Sequence, residues 1–235
     1  MKNKELVFNR VQGLKFLYEN FPYLYDNDRI KLLFVSSKEE LMNLHFDSHL
    51  FNTFVLKRSA NKAFISDIKF KYNRFFDSLE NLKKGSEEFD DIFDFCVECH
   101  KFKKGENYYS DRLAIAQFST KIITDNFDRV NFIPSKVDGV NTRDNEPFLE
   151  IEYPYNFENI YNIKKLNQNL LKINNFDNAS IAYLVPKIHS IIETLKDYLL
   201  ELKCYDDFQL IIRIDSNLNL LPIDFRTPEA WTKIV

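Results

Sequence analysis

Alternating apolar and polar positions predict strands over much of this chain. In FQLIIRID (208–215) the apolar residues Leu210, Ile212 and Ile214 recur at every second position, the period of a strand with one buried face. Alternation or a short apolar run predicts further strands at IKLLFV (30–35), NTFVLKRS (52–59), KAFISDIKFKY (62–72), RLAIAQFSTKIIT (112–124), RVNFIPSKV (129–137), PFLEIEYPY (147–155) and NLLPIDFR (219–226).

Apolar residues spaced three and four apart predict helices between these strands. Residues 4–19 carry such a stripe, and Ser37 followed by Glu40 has the capping-box spacing that opens a second helix. Residues 74–99 are predicted to be helical, with an interruption at Gly85. Two helices are predicted before the last strands, the second beginning at Pro186, since proline suits a first helical position.

The last two strands are predicted to be adjacent and antiparallel, because only a short polar turn separates them. The turn is centred on Ser216-Asn217 or on residues 217–219. The predicted pairing sets Leu220 and Pro222 on the face opposite the 186–203 helix. That face would also gather the charged residues Arg213, Asp215, Asp224 and Arg226. Such a gathering is either a site beneath a cleft or a solvated ladder of ion pairs.

The order of elements predicts an α+β fold with a mixed or mainly antiparallel sheet flanked by helices. No repeat or low-complexity linker divides the sequence. Residues 1–235 are therefore expected to form a single unit, with two lobes of about residues 1–110 and 111–235 as the alternative.

Composition narrows the classes of partner. The net charge is −3 and the pI about 5.9, so no strongly basic field favours nucleic acid as a ligand. No apolar stretch is long enough for a membrane span, and charges interrupt the N-terminal apolar positions, so a cytoplasmic protein is expected. Only 4 glycines are present, and neither a Walker loop nor a GxGxxG motif occurs.

Cysteine and histidine spacing offers two weaker hypotheses. Cys96-Val-Glu-Cys99-His100 has the spacing of a c-type haem attachment site, although two reduced cysteines one helical turn apart are the favoured explanation. His45 and His49, also one turn apart in a predicted helix, would complete a zinc site if they met the two cysteines.

Lys136-Val-Asp138-Gly139-Val-Asn141 resembles the nucleotide-attachment motif of DNA and RNA ligases and capping enzymes. The resemblance implies a covalent nucleotidyl adduct on Lys136. It stops within those six residues, because the later strands lack the glutamate and the paired lysines of that family. The alternative is a lysine-bearing turn between strands.

The C-terminal region resembles the last third of ATP-grasp enzymes. In that family a long helix precedes two strands whose acidic residues reach Mg²⁺ on ATP, and many members end these strands in Arg-x-Asp and Glu-x-Asn. Arg213-Ile-Asp215 keeps the first pattern, whereas Asp224-Phe-Arg226 departs from the second. Asp224-Phe-Arg226 is also similar to the Gln-x-Arg that ends the ATP-binding domain of phosphoenolpyruvate synthase and pyruvate phosphate dikinase.

Two further segments fit the same resemblance. FVLKRSA (54–60) is similar to the strand whose basic residue contacts the phosphates, and GVNTRDNEPFLEIE (139–152) is similar to a segment containing Thr-Arg. The glycine-rich lid of the family is missing, since SANKAF (59–64) has no glycine.

The resemblance implies an ATP- and Mg²⁺-binding protein that catalyses phosphoryl transfer or ATP-dependent ligation to an unknown acceptor. Its implied ligand contacts are Lys57, Arg58 and Arg213 for the nucleotide, Asp215 and Asp224 for the metal, and Arg226 with Asp224 for catalysis. The alternative function is a scaffold without catalysis that binds a protein partner, through aromatic residues of the 147–157 segment such as Tyr153 and Tyr155.

Overall fold

The computed structural model describes residues 9–25, 28–60, 74–89, 93–106, 112–119, 127–134, 147–154, 161–173, 176–201 and 208–226. The strands are β1 (Ile30–Val35), β2 (Thr53–Ala60), β3 (Arg74–Phe76), β4 (Phe93–His100), β5 (Arg112–Ser119), β6 (Phe127–Pro134), β7 (Leu149–Pro154), β8 (Asn162–Leu166), β9 (Gln209–Asp215) and β10 (Leu220–Arg226). The helices are α1 (Arg10–Asn20), α2 (Lys38–Met42), α3 (Leu79–Ser86), α4 (Gln168–Ile173) and α5 (Asn178–Glu201), with 3₁₀ turns at Pro22–Tyr25 and Ser48–Leu50.

The chain divides into two compact units. The first unit comprises Val7–Asp111 with Asp224–Val235, and the second comprises Met1–Leu6 with Arg112–Ile223. A four-stranded sheet has the order β1-β4-β2-β3, and a six-stranded sheet has the order β10-β9-β5-β6-β7-β8. The predicted α+β class with mainly antiparallel sheets flanked by helices is confirmed.

One face of the four-stranded sheet is apolar and forms the core of the first unit. Phe54 and Leu56 of β2 lie on this face with alternate residues of β4, and Leu41 of α2 and Leu82 of α3 pack against them. Ser37 and Ser78 cap these two short helices, each accepting a hydrogen bond from the backbone N–H three residues on. Tertiary burial holds α2, because five residues are too few for a helix to be stable alone.

The opposite face of the same sheet is polar and lies against α1. Asn9 and Gln12 form a reciprocal capping box at the start of this helix. The backbone N–H of Val11 donates to Ser59 Oγ on β2 at 3.2 Å, which ties the first turn of α1 to the sheet. This face also carries the charged residues described below.

Of the described residues in the helical region predicted over 74–99, only those of α3 are helical, and α3 runs through Gly85 without the predicted interruption, whereas residues 74–76 form β3. β4 occupies Phe93–His100 and is the second strand of its sheet, hydrogen bonded to β1 and β2. Cys96 and Cys99 are therefore buried on opposite faces of a strand, rather than one turn apart on a helix as predicted. Burial raises the pKa of Cys99 to about 12, so this thiol stays protonated.

The histidines of the zinc hypothesis are also placed differently. α2 ends at Met42, so His45 lies in a loop rather than in a helix. His49 lies in a 3₁₀ turn with its Nδ1 at 2.7 Å from Asp47 Oδ1. No group of three or more potential metal ligands occurs among the residues that the structure describes.

The second unit packs α5 on the apolar face of its sheet. Tyr153 of β7 is buried, donates a hydrogen bond to the Val185 carbonyl oxygen at 2.9 Å, and stacks on His189 at a centroid distance of 4.4 Å. Tyr153 therefore does not form the surface that the scaffold alternative requires of it, and burial, the more common outcome for such aromatic residues, is what the structure shows. Tyr155 lies outside the described residues.

The predicted start of α5 at Pro186 is also wrong. The helix begins at Asn178, where the Asp177 carboxylate accepts from the Ser180 backbone N–H at 2.7 Å, and Pro186 lies inside it. Among the described helices, none is both long and apolar enough to cross a lipid bilayer.

A tight hairpin joins β9 to β10, as predicted. The N–H of Leu218 donates to the Asp215 carbonyl at 3.0 Å, and the N–H of Asp215 donates to the Asn219 carbonyl at 3.1 Å. The loop has three residues, and Asp215 pairs with Asn219 across it. Two residues further along each strand, Arg213 is therefore opposite Leu221. The predicted register, which set Leu220 and Pro222 on the face of Arg213, is wrong by one residue. The predicted gathering of four charges on one face therefore does not follow.

Leu218 has a φ of 62°, in the left-handed region that glycine favours. We expect the Leu218→Gly variant to have a free energy of unfolding about 1 kcal/mol higher than the Leu218→Ala variant, because both lose the side chain but only glycine relieves the strain. Urea unfolding of the two variants measures the difference. An alanine variant as stable as the glycine variant would contradict the strained loop.

Candidate functional site

The first unit holds a buried ion pair on the polar face of its sheet. Lys57 of β2 is 1% exposed, and its Nζ donates to Glu98 Oε1 on the neighbouring strand β4. The other carboxylate oxygen of Glu98 lies 3.4 Å from His100 Nε2. Lys57 pairs in register with Cys96, two residues before Glu98, so alternation along β4 puts Glu98 on the face of Lys57.

The Glu98 carboxylate is ionised in this environment. Burial alone would raise the pKa of Glu98, but the Lys57 ammonium and the hydrogen bond from His100 lower it to about 2. Glu98 therefore carries a negative charge at neutral pH, opposite the positive charge of Lys57.

A second charge cluster surrounds Asp224 near the end of β10, also within the first unit. Arg226 Nε donates to Asp224 Oδ1 at 2.7 Å, and Arg226 Nη2 contacts Oδ2. Arg10 Nε of α1 lies 3.4 Å from the same Oδ2. One carboxylate thus holds two guanidinium groups, the first of them in a bidentate geometry.

Three cations act on the Asp224 carboxylate. Burial would raise the pKa of Asp224, but the positive charges of Arg226, Arg10 and Lys57 outweigh it and hold that pKa below its ordinary value. Arg10, Lys57 and Arg226 face the carboxylates of Glu98 and Asp224, so these five side chains carry three positive and two negative charges.

Close backbone contact fixes the position of α1, and with it Arg10. A Cβ atom built on Gly13 would lie 1.9 Å from the Phe225 carbonyl oxygen, so only glycine permits this approach. The ring of Phe16 stacks on that of Phe225 at a centroid distance of 5.8 Å. Gly13 lies one turn after Arg10, so the contact sets Arg10 beside the carboxylate of Asp224.

Arg58, the other basic residue of the predicted phosphate-binding strand, points to the opposite face of β2. Its guanidinium carbon lies 4.2 Å from the ring centroid of Phe89 and 5.1 Å from that of Phe93. Of Lys57 and Arg58, Lys57 is therefore the residue whose charge acts on Asp224. A phosphate contact by Arg58 stays a prediction.

Arg213 and Asp215 lie in the second unit. Arg213 is 1% exposed and pairs in register with Ile115 of β5. Asp215 caps the hairpin, since its Oδ1 accepts from the N–H groups of Asn217 and Asn219 at 2.8 and 2.9 Å, and its Oδ2 accepts from Asn219 Nδ2 at 2.9 Å.

The two carboxylates predicted to bind Mg²⁺ already have other partners in the structure. Both oxygens of Asp215 accept hydrogen bonds from the turn, and both oxygens of Asp224 contact guanidinium groups. A metal ion at either carboxylate would share its oxygens with these donors, and at Asp224 it would also face two guanidinium charges. Metal roles for Asp215 and Asp224 stay predictions, and no chemical step is assigned to the ion.

Arg10, Glu98 and His100 are candidate site residues that the sequence did not reveal. Glu98 had a usable signal, since FCVECH (95–100) places one acidic residue inside an apolar run, just as FVLKRS (54–59) places a lysine. Arg10 had none, because its partner Asp224 lies at the other end of the chain. Lys136 and its motif lie outside the described residues, so the nucleotidyl-adduct hypothesis stays a prediction.

Comparisons with known proteins give distant structural similarity. No protein-family model and no curated protein sequence matches this chain. It is similar to D-alanyl-alanine synthetase A from Vibrio cholerae, with a TM-score of 0.41 and 9% identity over 94% of this chain and 55% of that chain. It is also similar to the macrocyclase MdnC from Microcystis aeruginosa, solved with its precursor peptide MdnA, with a TM-score of 0.41 and 10% identity over 94% and 52% of the chains.

A third similar structure is the C-terminal domain of Pby1 from K. lactis, an ATP-grasp enzyme that interacts with the mRNA decapping enzyme Dcp2. Its TM-score is 0.30 and its identity 11%, over 91% of this chain and 62% of that one. The chain thus spans 55% and 52% of the first two structures and 62% of the third. At these TM-scores and identities the similarity establishes neither a shared fold nor a shared activity.

Proposed function

We propose that this protein binds ATP and uses it for phosphoryl transfer or ATP-dependent ligation, as its sequence resemblance to ATP-grasp enzymes implies. One observation supports the proposal above the others. Lys57, Asp224 and Arg226, which the resemblance named from two distant segments, lie in the same compact unit, and their charges interact.

The chemistry of this cluster suits a phosphorylated ligand. A triphosphate concentrates negative charge, and buried or half-buried cations stabilise it more strongly than cations in bulk water. Lys57 and Arg226 are held by Glu98 and Asp224 before any ligand arrives, so little reorganisation would accompany binding. Arg226 would then steady the transferred group, as the resemblance to the Gln-x-Arg motif implies.

The alternative function as a protein-binding scaffold loses one of its two named surface residues, because Tyr153 is buried against α5, whereas Tyr155 lies outside the described residues. The acceptor of the phosphoryl group, and any protein partner, stay open.

Isothermal titration of the 235-residue chain with ATP, with and without Mg²⁺, tests the proposal. We expect the wild-type chain to bind ATP, and Arg226→Gln to weaken binding about 10-fold or more, because a charge-assisted hydrogen bond to a phosphate is lost. Arg29→Gln is the matched control. Arg29 also pairs with a carboxylate in the first unit, that of Glu106, and its side chain is 20% exposed against 17% for Arg226.

Two results of the titration would contradict these expectations. No heat of binding at millimolar ATP, in either the presence or the absence of Mg²⁺, would overturn it. Equal weakening by Arg226→Gln and Arg29→Gln would show that the effect of Arg226 is not local to the cluster.

A further inference from the structure

We propose that Arg10 and Arg226, held together by Asp224, form a paired-guanidinium site for the phosphate groups of the ligand. Asp224 then acts as a positioning residue for the two arginines rather than as a metal ligand. This inference deepens the proposed function and rests on it. The class of ligand is a polyphosphate, supplied either by a nucleotide or by an inorganic chain.

The first support is the way in which the Asp224 carboxylate is used. Its two oxygens contact Arg226 through a bidentate pair and Arg10 through Nε at 3.4 Å. A single carboxylate therefore holds two planar donor groups beside each other. Guanidinium groups match the geometry of phosphate oxygens, for which an ammonium is only a point charge.

The second support is the gradient of exposure across the cluster. The Asp224 side chain is 5% exposed, whereas those of Arg10 and Arg226 are 22% and 17% exposed. The carboxylate is therefore less accessible to an approaching anion than the two arginine side chains are. With the reverse order, the cluster would repel an anion and attract a cation.

The third support is that the pair is held rigidly. Arg10 belongs to the first turn of α1, and the backbone N–H of Val11 next to it is anchored on Ser59. Gly13 and Phe16 contact Phe225, the residue between Asp224 and Arg226. Both arginines are thus fixed by the same packing contact, which lowers the conformational entropy lost when they bind a ligand.

Titration with sodium tripolyphosphate, ATP and adenosine, each in buffer with EDTA, tests the inference and separates the two sources of phosphate. We expect tripolyphosphate and ATP to bind the wild-type chain without added metal, and adenosine to bind at least 10-fold more weakly than ATP. Arg10→Gln should weaken both phosphate ligands by about 10- to 100-fold, because a charge-assisted contact is removed. Lys15→Gln is the control on the same helix, since Lys15 is exposed and pairs with Glu19, and it should change either affinity by less than 2-fold.

Arg10→Lys is a second variant that keeps a positive charge opposite Asp224, and circular dichroism would confirm its fold. It should weaken tripolyphosphate about 3- to 10-fold, because an ammonium lacks the planar fork of a guanidinium. Unchanged affinity in both Arg10 variants would overturn the inference while leaving ATP binding, and so the proposed function, intact. Failure of the wild-type chain to bind ATP would instead remove the proposed function itself.

The role of Asp224 has its own readout. If it positions the arginines, Asp224→Asn should weaken tripolyphosphate binding in EDTA, where no divalent ion is present. If wild-type binding requires Mg²⁺ and vanishes in EDTA, Asp224 serves a metal and the inference is wrong.

Discussion

Replacing Lys57 by methionine is expected to lower the free energy of unfolding by about 3–5 kcal/mol, although methionine is apolar and similar in length to lysine. The reason is Glu98, whose carboxylate is 0% exposed and loses its ammonium partner. The Glu98 charge would stay buried beside His100, or Glu98 would take up a proton, because burial without the Lys57 ammonium raises its pKa. Glu98→Gln should destabilise by a similar amount, because it leaves the Lys57 ammonium facing a neutral amide.

The double variant Lys57→Met with Glu98→Gln measures how strongly the two side chains depend on each other for stability. Removing both charges also removes the penalty of an uncompensated charge, so we expect it to recover most of the stability lost in either single variant. Chemical denaturation of the four proteins gives the coupling energy. If the losses of the two single variants simply add, Lys57 and Glu98 do not form the buried ion pair described above.

Alternation of apolar residues predicted the strands that have one polar face. β7 and β9 lie close to their predicted bounds, because Leu149 and Ile151, like Leu210 and Ile212, face the core at every second position. β8 was missed by the criterion that found β7 and β9, because that criterion depends on an apolar period. β8 consists of Asn162–Leu166, an edge strand whose residues are exposed or half-buried, so no apolar period marks it.

The wrong helix at 93–99 shows where that signal fails. β4 lies between β1 and β2, with one face on the apolar core and the other on the polar face that α1 covers. Seven of its eight residues are buried, so the polar positions that would reveal a period of two are absent. The two cysteines, three residues apart, suggested a helical turn. Burial on both faces makes the segment a strand instead.

The candidate site was predicted by resemblance rather than by spacing. Lys57, Asp224 and Arg226 were named because their segments look like pieces of one family, and the structure brings these three into one unit. The same resemblance also named Arg213 and Asp215, which lie in the second unit. Glu98 and Arg10 became visible only with the fold, because pairing between distant segments leaves no local pattern.

Replacing Gly13 by alanine is expected to destabilise the first unit by about 3 kcal/mol, although alanine is the better helix former by about 1 kcal/mol. The new Cβ would lie 1.9 Å from the Phe225 carbonyl oxygen and 2.8 Å from its carbonyl carbon, and a strand backbone cannot turn aside as a side chain does. Either α1 or the end of β10 must shift. Arg10 and Asp224 lie on these two elements, so tripolyphosphate binding should weaken together with stability.

Gly85→Ala is the matched control, since Gly85 is also helical and its added Cβ would meet a neighbour at 2.5 Å. That neighbour is the ring of Phe76, which can rotate, so the expected loss is about 1 kcal/mol or less, with unchanged tripolyphosphate affinity. Thermal or urea unfolding of both variants, followed by titration of the folded fraction, makes the comparison. A Gly13→Ala variant as stable as wild type would mean that α1 does not pack on Phe225. A Gly13→Ala variant that is destabilised but binds tripolyphosphate with wild-type affinity would show that this packing contact does not position Arg10 and Arg226 for binding.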